Sequence, residues 1–420
     1  MQGVHAEHPK AFYTKVNTQK PDGGGPPEGG QFQQWLATAE DREMISWQKH
    51  SDNGHILEPP EGTVRDWRDP YLFTAGGKTL CCIGGGTETE AQVLIYEASD
   101  LTLAKWKYRG VMCSRPRDCY ADRKEHPVPS FFFECPNFLE MGPEGKWVLL
   151  ISPFAPVEYI VGTFDIDTLR FTEETSGVLD PGCGSVENAD LEPNFYASNT
   201  ILEPAEAGGR TLLVGWIRGF PAGGGWNGCL SLPRVLTLSA DGVPSQQPIA
   251  ELQKLRASQV MSISGHPDGH HEGLPLADGE VLAWTCASQQ VEVTLTVATG
   301  SAKSIKLELA GGGVFIEYKA EERVVEVCGS IAPITRLGEL KLQVFWDASV
   351  LEVFINDGEA TVTRIVYAEP EHRVASVSVE GGDAEVIELM AWDLMPIWAE
   401  GQDAAEVAKM EPADKSAARI

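Results

Sequence analysis

The chain reads as an all-β protein, a β-propeller followed by a β-sandwich, and three observations carry that reading. Gly and Pro number 43 and 27 among 420 residues, a supply of turn formers that suits many short strands better than a helical bundle. An aromatic recurs six residues after an aspartate, as Asp41 and Trp47, Asp100 and Trp106, and Asp165 and Phe171, with the aromatics 59 and 65 residues apart. Strand-like stretches precede each pair, and a period near sixty fits the four-stranded blades of a propeller. Toward the C-terminus, apolar and polar residues then alternate as they do in sandwich strands.

Taken in order, Phe12-Tyr13-Thr14 is the earliest recognisable strand, and Pro21 to Gly30 is too rich in Gly and Pro to be anything but loose. Phe32 to Ala37, Val93 to Tyr96 and Tyr159 to Phe164 supply strands of successive blades, and the three recurring aspartates read as turn formers. Residues 1–255 hold about four such units, ending near Gln246 to Leu252, with a short helical or irregular link after them. Residues 260–396 then form the sandwich. Val291 to Val297, Leu342 to Trp346 and Leu351 to Ile355 alternate, and the Asp357-Gly358 turn leads into Ala360 to Val366 as a hairpin. Residues 397–420 are a polar tail expected to be disordered.

The 33 basic and 61 acidic residues give a net charge of −28, which repels nucleic acid and anionic membranes but not a neutral sugar. The bland reading of that charge is solubility. No apolar run approaches the roughly 18 residues of a membrane span. The N-terminus lacks a signal-peptide pattern, so the chain as written is expected to be cytoplasmic, or secreted if residues precede it. Nine cysteines without regular spacing make no disulfide framework.

Two segments set a carboxylate at a break in an apolar stretch: Arg68-Asp69-Pro70 after Trp67, and Glu134-Cys135-Pro136 after Phe131-Phe132-Phe133. A carboxylate there is costly to desolvate unless paired or used. Two of them converging on one pocket would suit sugar-bond cleavage. Each has a plainer reading, since Asp-Pro is a common turn pair and Glu134 could end a strand at the surface. Tyr196 and Trp216 suit either a core or a sugar-stacking face. His266, His270 and His271 with Asp268 sit among glycines and read as a loop rather than a metal site.

In chain order these pieces resemble glycoside hydrolase family 32, the invertases and fructan hydrolases. Arg68-Asp69-Pro70 is similar to that family's Arg-Asp-Pro motif and Glu134-Cys135-Pro136 to its Glu-Cys motif, with Ile95 to Leu101 and Trp106 between them. Phe195-Tyr196-Ala197, Gly209-Arg210-Thr211, Gly215-Trp216, Trp226-Asn227-Gly228 and Leu232-Pro233-Arg234 follow. Ser349 to Gly358 then resembles the signature of the C-terminal sandwich. The resemblance implies a five-bladed propeller and the retaining release of fructose from sucrose or β-fructans such as inulin and levan, with neither cofactor nor metal. It makes Glu134 the general acid/base and Asp69 the transition-state stabiliser, with Arg68 binding Asp69 or sugar. Cys135 would tune the acid, and Tyr196 and Trp216 would line the sugar subsite.

One motif is missing. The family's nucleophile is an Asp within a Trp-x-Asn-Asp-Pro-Asn-Gly type motif on the first blade, and no such motif occurs in these 420 residues. Ser51-Asp52-Asn53-Gly54 is only superficially similar, and Asp52 reads as a turn residue. The propeller as written therefore starts within the second blade and is N-terminally incomplete, so no covalent intermediate and little activity are expected of it. Three readings follow: a longer β-fructofuranosidase, a non-catalytic carbohydrate-binding protein, or a related propeller glycosidase acting on arabinose- or xylose-containing glycans.

Overall fold

The computed structural model describes residues 8–16, 32–50, 55–62, 66–119, 132–142, 145–183, 194–221, 223, 225–239, 241–264, 273–369 and 371–397. Six antiparallel sheets account for nearly all of their regular structure. The first sheet joins Lys10–Val16, Phe32–Ala39 and Trp47–Lys49, with His55–Leu57 also paired to Phe32–Ala39. The second is the meander Arg68–Ala75, Lys78–Gly86, Glu90–Ala98 and Trp106–Pro116, and the third is Glu134–Met141, Lys146–Ser152, Glu158–Asp165 and Arg170–Val178. The fourth runs Phe195–Leu202, Thr211–Ile217, Arg234–Leu238 and Pro244–Pro248, with Cys229–Leu230 beside Thr211–Ile217. Neighbouring sheets stack face to face, which is the packing of propeller blades.

The sixty-residue repeat has a physical cause. Asp41 accepts hydrogen bonds from the Ile45 and Ser46 N–H groups, Asp100 from Thr102, and Asp165 from Asp167 and Thr168. Each aspartate thus holds the turn into the strand that begins near its aromatic, Trp47–Lys49, Trp106–Pro116 or Arg170–Val178, and Met44, Leu103 and Leu169 take the left-handed conformation those turns need. The Trp47 indole donates to the Met44 carbonyl and the Trp106 indole to the Leu103 carbonyl, both at 2.8 Å. The third aromatic, Phe171, instead meets Phe138 edge-on at 5.2 Å in the layer between the second and third sheets. Further layers form between the first and second sheets, around Leu57, Trp67 and Ile83, and between the third and fourth, around Leu150, Phe195 and Leu213.

A 3-10 turn, Ala250–Leu255, leads into the sandwich, whose seven-stranded and six-stranded sheets face each other. Its core is built from the apolar face of each alternating strand, with Val291, Val293, Leu295 and Val297 from one strand and Leu342, Val344 and Trp346 from its neighbour. The hairpin at Asn356–Gly358 forms, joining Val350–Ile355 to Ala360–Ile365.

The two units meet around Arg234, which is 0% exposed. All five of its N–H donors are used. Nε and Nη2 reach Glu352 Oε2 at 3.2 and 2.7 Å, Nη2 also reaches Thr363 Oγ1 at 2.6 Å, and Nη1 reaches Asp180 Oδ2 at 3.1 Å and Gln246 Oε1 at 2.8 Å. Glu352 and Thr363 come from the sandwich, whereas Arg234 and Gln246 come from the fourth sheet and Asp180 follows the third. Burial pushes the Glu352 carboxyl up, with the Arg234 charge opposing. The guanidinium also lies 4.3 Å over the Phe195 ring, so the junction backs the strand that carries Tyr196.

Candidate active site

Three site segments begin the first strands of successive sheets: Arg68-Asp69 in the second, Glu134-Cys135 in the third and Phe195-Tyr196 in the fourth. The same irregularity recurs in each. Asp69, Cys135 and Ala197 have φ of 64°, 49° and 45°, and the pairing register shifts between Arg68 and Tyr71, between Leu150 and Ser152 opposite Glu134, and between Tyr196 and Asn199. Such a bulge turns side chains out of the ordinary pleat and aims them away from the ladder. Gly84 permits the close approach of two blades here, because a Cβ on it would lie 2.1 Å from the Phe133 carbonyl oxygen, one residue before Glu134.

Arg68 organises the site. Its Nε and Nη2 reach Glu134 Oε1 at 3.2 and 2.6 Å, its Nη1 reaches Asp66 Oδ1 at 2.7 Å, and its Nε lies 3.7 Å from Asp69 Oδ2. The guanidinium is stacked between Phe32 at 5.0 Å and Phe132 at 4.6 Å. Burial works against its charge, but the Glu134 and Asp66 hydrogen bonds win and hold it above its ordinary value. One cation thus gathers three carboxylates.

Asp69 is braced from two sides. Its Oδ2 accepts the Cys135 N–H at 3.1 Å, with the Cys135 Sγ at 3.6 Å, while its own N–H donates to Thr14 Oγ1 at 3.0 Å. Thr14 donates to Gln34, and the buried Gln34 donates to the Trp67 carbonyl, so the first sheet reaches into the site. Burial raises the Asp69 carboxyl, opposed by the Cys135 N–H and the Arg68 charge. A raised folded value means that this group favours the fold below its ordinary value of 3.8 and loses that contribution as pH rises through the folded value. Asp69→Asn, which also tolerates the left-handed backbone, is therefore expected to melt higher than wild type at pH 7, with the gap closing below pH 3.8. Calorimetric scans at both pH values check this, and a variant that melts lower at pH 7 contradicts it.

The expected site residues take distinct places. Arg68, Asp69, Glu134, Cys135 and Tyr196 converge. Burial, then the Asp69 and Glu134 charges, lift the Cys135 thiol well above its ordinary value, so it stays a neutral donor to Asp69. Tyr196 is 2% exposed, and its hydroxyl stands 2.5 Å from Glu134 Oε2. Trp216 pairs across the strand with Tyr196, is 36% exposed, and shares Arg218, which lies 4.5 Å over the Tyr196 ring and 5.5 Å over the indole. Of the three phenylalanines before Glu134, Phe132 walls Arg68 and Phe133 packs into the core between blades. Phe131, Asp52 and the cluster His266, Asp268, His270 and His271 lie outside the described residues. Asp66, Thr14, Gln34 and Arg218 were not anticipated. For Asp66 a signal existed in its place two residues before Arg68, whereas the others reach the site only through the fold.

A propeller of four- and five-stranded sheets that brings an arginine-bound glutamate and a braced aspartate from successive first strands into one cluster defines a glycosidase-type propeller with an appended sandwich. The chain belongs to the glycosyl hydrolases family 32: that family's N-terminal domain matches residues 3–248 and its C-terminal domain residues 251–393. It is 27% identical over 394 residues to the sucrose-6-phosphate hydrolase of Escherichia coli, covering 89% of this chain and 75% of that protein. It is also 27% identical over 379 residues to the raffinose invertase of Escherichia coli, covering 86% and 72%. The Bombyx mori GH32 beta-fructofuranosidase BmSUC1 shares the fold, with a TM-score of 0.69 at 22% identity over 93% of this chain and 78% of that one.

Proposed function

We propose that this chain is a retaining hydrolase of β-fructosides, releasing fructose from sucrose or from β-fructans. Glu134 protonates the departing oxygen and later activates water, while Asp69 holds the fructosyl hydroxyls as positive charge develops at the anomeric carbon. The observation that carries this reading is the fork of Arg68 on Glu134 Oε1, with Asp69 3.7 Å from the same Nε. It holds Glu134 by Oε1, while Oε2 faces the Tyr196 hydroxyl at 2.5 Å. The relatives named sucrose-6-phosphate hydrolase, raffinose invertase and levanase set the substrates to try.

A second reading has its own observation. Trp216, 36% exposed and paired across the strand with Tyr196, offers an aromatic face for a sugar ring, which suits binding of the same sugars without turnover. Incubation of the protein with sucrose, sucrose-6-phosphate, raffinose and levan, followed by assay of free fructose, separates the two. Fructose released above an Asp69→Asn control supports hydrolysis. Tryptophan fluorescence that saturates with sucrose while no fructose appears supports binding alone. Arabinose or xylose released from a plant glycan in place of fructose overturns both.

A further inference from the structure

The Tyr196 hydroxyl faces more acceptors than it has hydrogens. The Phe154 N–H donates to it at 3.0 Å, the Ser152 carbonyl oxygen lies 2.8 Å away, and Glu134 Oε2 lies 2.5 Å away. A phenol oxygen carries one hydrogen and two lone pairs. The carbonyl can only accept, so the phenol satisfies either Ser152 or Glu134 but not both at once. All contacts are satisfied together in one arrangement: the phenol donates to Ser152, and a proton on Glu134 Oε2 is donated to the phenol oxygen. Once Glu134 is ionised, its charged oxygen is the stronger acceptor and draws the phenolic hydrogen away from the carbonyl.

We propose that Tyr196 is a positioning residue for Glu134, whose one phenolic hydrogen turns from the Ser152 carbonyl to Glu134 Oε2 when Glu134 gives up its proton. No covalent bond of Tyr196 breaks, because the change is a rotation about its C–O bond. The proton that leaves Oε2 goes to the oxygen of the departing group and returns from water in the second half of the reaction. Oε2 is the oxygen concerned, because the Arg68 fork occupies Oε1 at 3.2 and 2.6 Å. Burial, reinforced by the Glu134 charge, holds the phenol far above its ordinary value, so Tyr196 keeps its own proton throughout. The other titratable or charged groups at this point are Arg68, Asp69 and Cys135, with Arg218 over the outer face of the Tyr196 ring.

A donor that reaches the carboxylate only as charge develops there favours the transition state over the ground state. This inference rests on Glu134 as the acid/base of the proposed function, but it is read without turnover. In the full chain carrying glutamate labelled with 13C at the carboxyl carbon, the signal lost in Glu134→Gln identifies Glu134, and its shift is followed against pH. Tyr196→Phe is expected to bind the Glu134 proton about tenfold more tightly than wild type, because the ionised form loses a donor. Uniform replacement of tyrosine by 3-fluorotyrosine, a more acidic donor, is expected to loosen that proton. A residue that merely filled space would leave both midpoints where they were, and unmoved midpoints overturn the inference. If Tyr196→Phe fails to fold, the fluorotyrosine protein decides alone. Midpoints that move in a protein releasing no fructose sink the hydrolase reading and leave this one standing. Fructose release with fixed midpoints does the reverse.

Discussion

Arg234→Met is expected to destabilise the protein by about 3–5 kcal/mol, because it strands two carboxylates in an interior that water does not reach. Asp180 is 0% exposed and Glu352 is 2% exposed, and Arg234 is the cation paired with both. Asp180 keeps the Thr363 and Gly182 N–H groups and the Thr363 hydroxyl, and Glu352 keeps the Leu232 N–H, so neither loses every partner. What each loses is its counter-charge. Denaturant unfolding followed by tryptophan fluorescence measures the effect, and a loss below about 1 kcal/mol would mean that water or rearrangement replaces the arginine. Neutralising the partner as well separates the pair energy from the packing. Arg234→Met with Glu352→Gln should be more stable than the sum of the two single losses allows, by at least about 1 kcal/mol. The same variant should loosen the Phe195 strand, since the guanidinium sits 4.3 Å over that ring, and sugar binding should weaken with it.

Glu134→Gln is expected to lower fructose release from sucrose by about 10²–10⁴-fold while leaving the fold intact. The amide oxygen can still accept the Arg68 fork and its NH2 can face Tyr196, so the contacts survive in outline. The lost function is proton delivery. A substrate whose departing group needs no proton, such as a nitrophenyl β-fructofuranoside, should therefore suffer much less in the fructosyl-transfer step. Equal losses on both substrates would point to a binding or structural role, and unchanged release from sucrose would remove Glu134 from the mechanism.

Much of the architecture was legible because its causes are local. Asp41, Asp100 and Asp165 bind backbone N–H groups within five residues, so the repeat they make with Trp47, Trp106 and Phe171 can be seen without any fold. Alternation from Val291 to Val297 marks a sheet with one buried face, and it does so strand by strand. Arg68-Asp69, Glu134-Cys135 and Phe195-Tyr196 were legible as motifs, from their carboxylates at apolar breaks and from the family resemblance, whereas the first-strand position and the left-handed residue that each shares appear only in the fold.

The same alternation misleads at Glu352. It marks a polar position on the open face of a strand, and nothing near it in the chain says that this face is closed by the propeller. Its partner Arg234 is 118 residues away, just as Arg68 is 66 residues from Glu134 and Glu134 is 62 from Tyr196. Tyr196 illustrates the limit most plainly. The motif around it suggested an aromatic face for sugar, and the folded chain instead buries the ring and turns its hydroxyl onto the acid. Turn chemistry, strand period and the identity of the carboxylates are properties of short segments, which a sequence records directly. Which cation neutralises which anion, and which polar face is sealed from water, depends on distances that exist only once remote strands have packed.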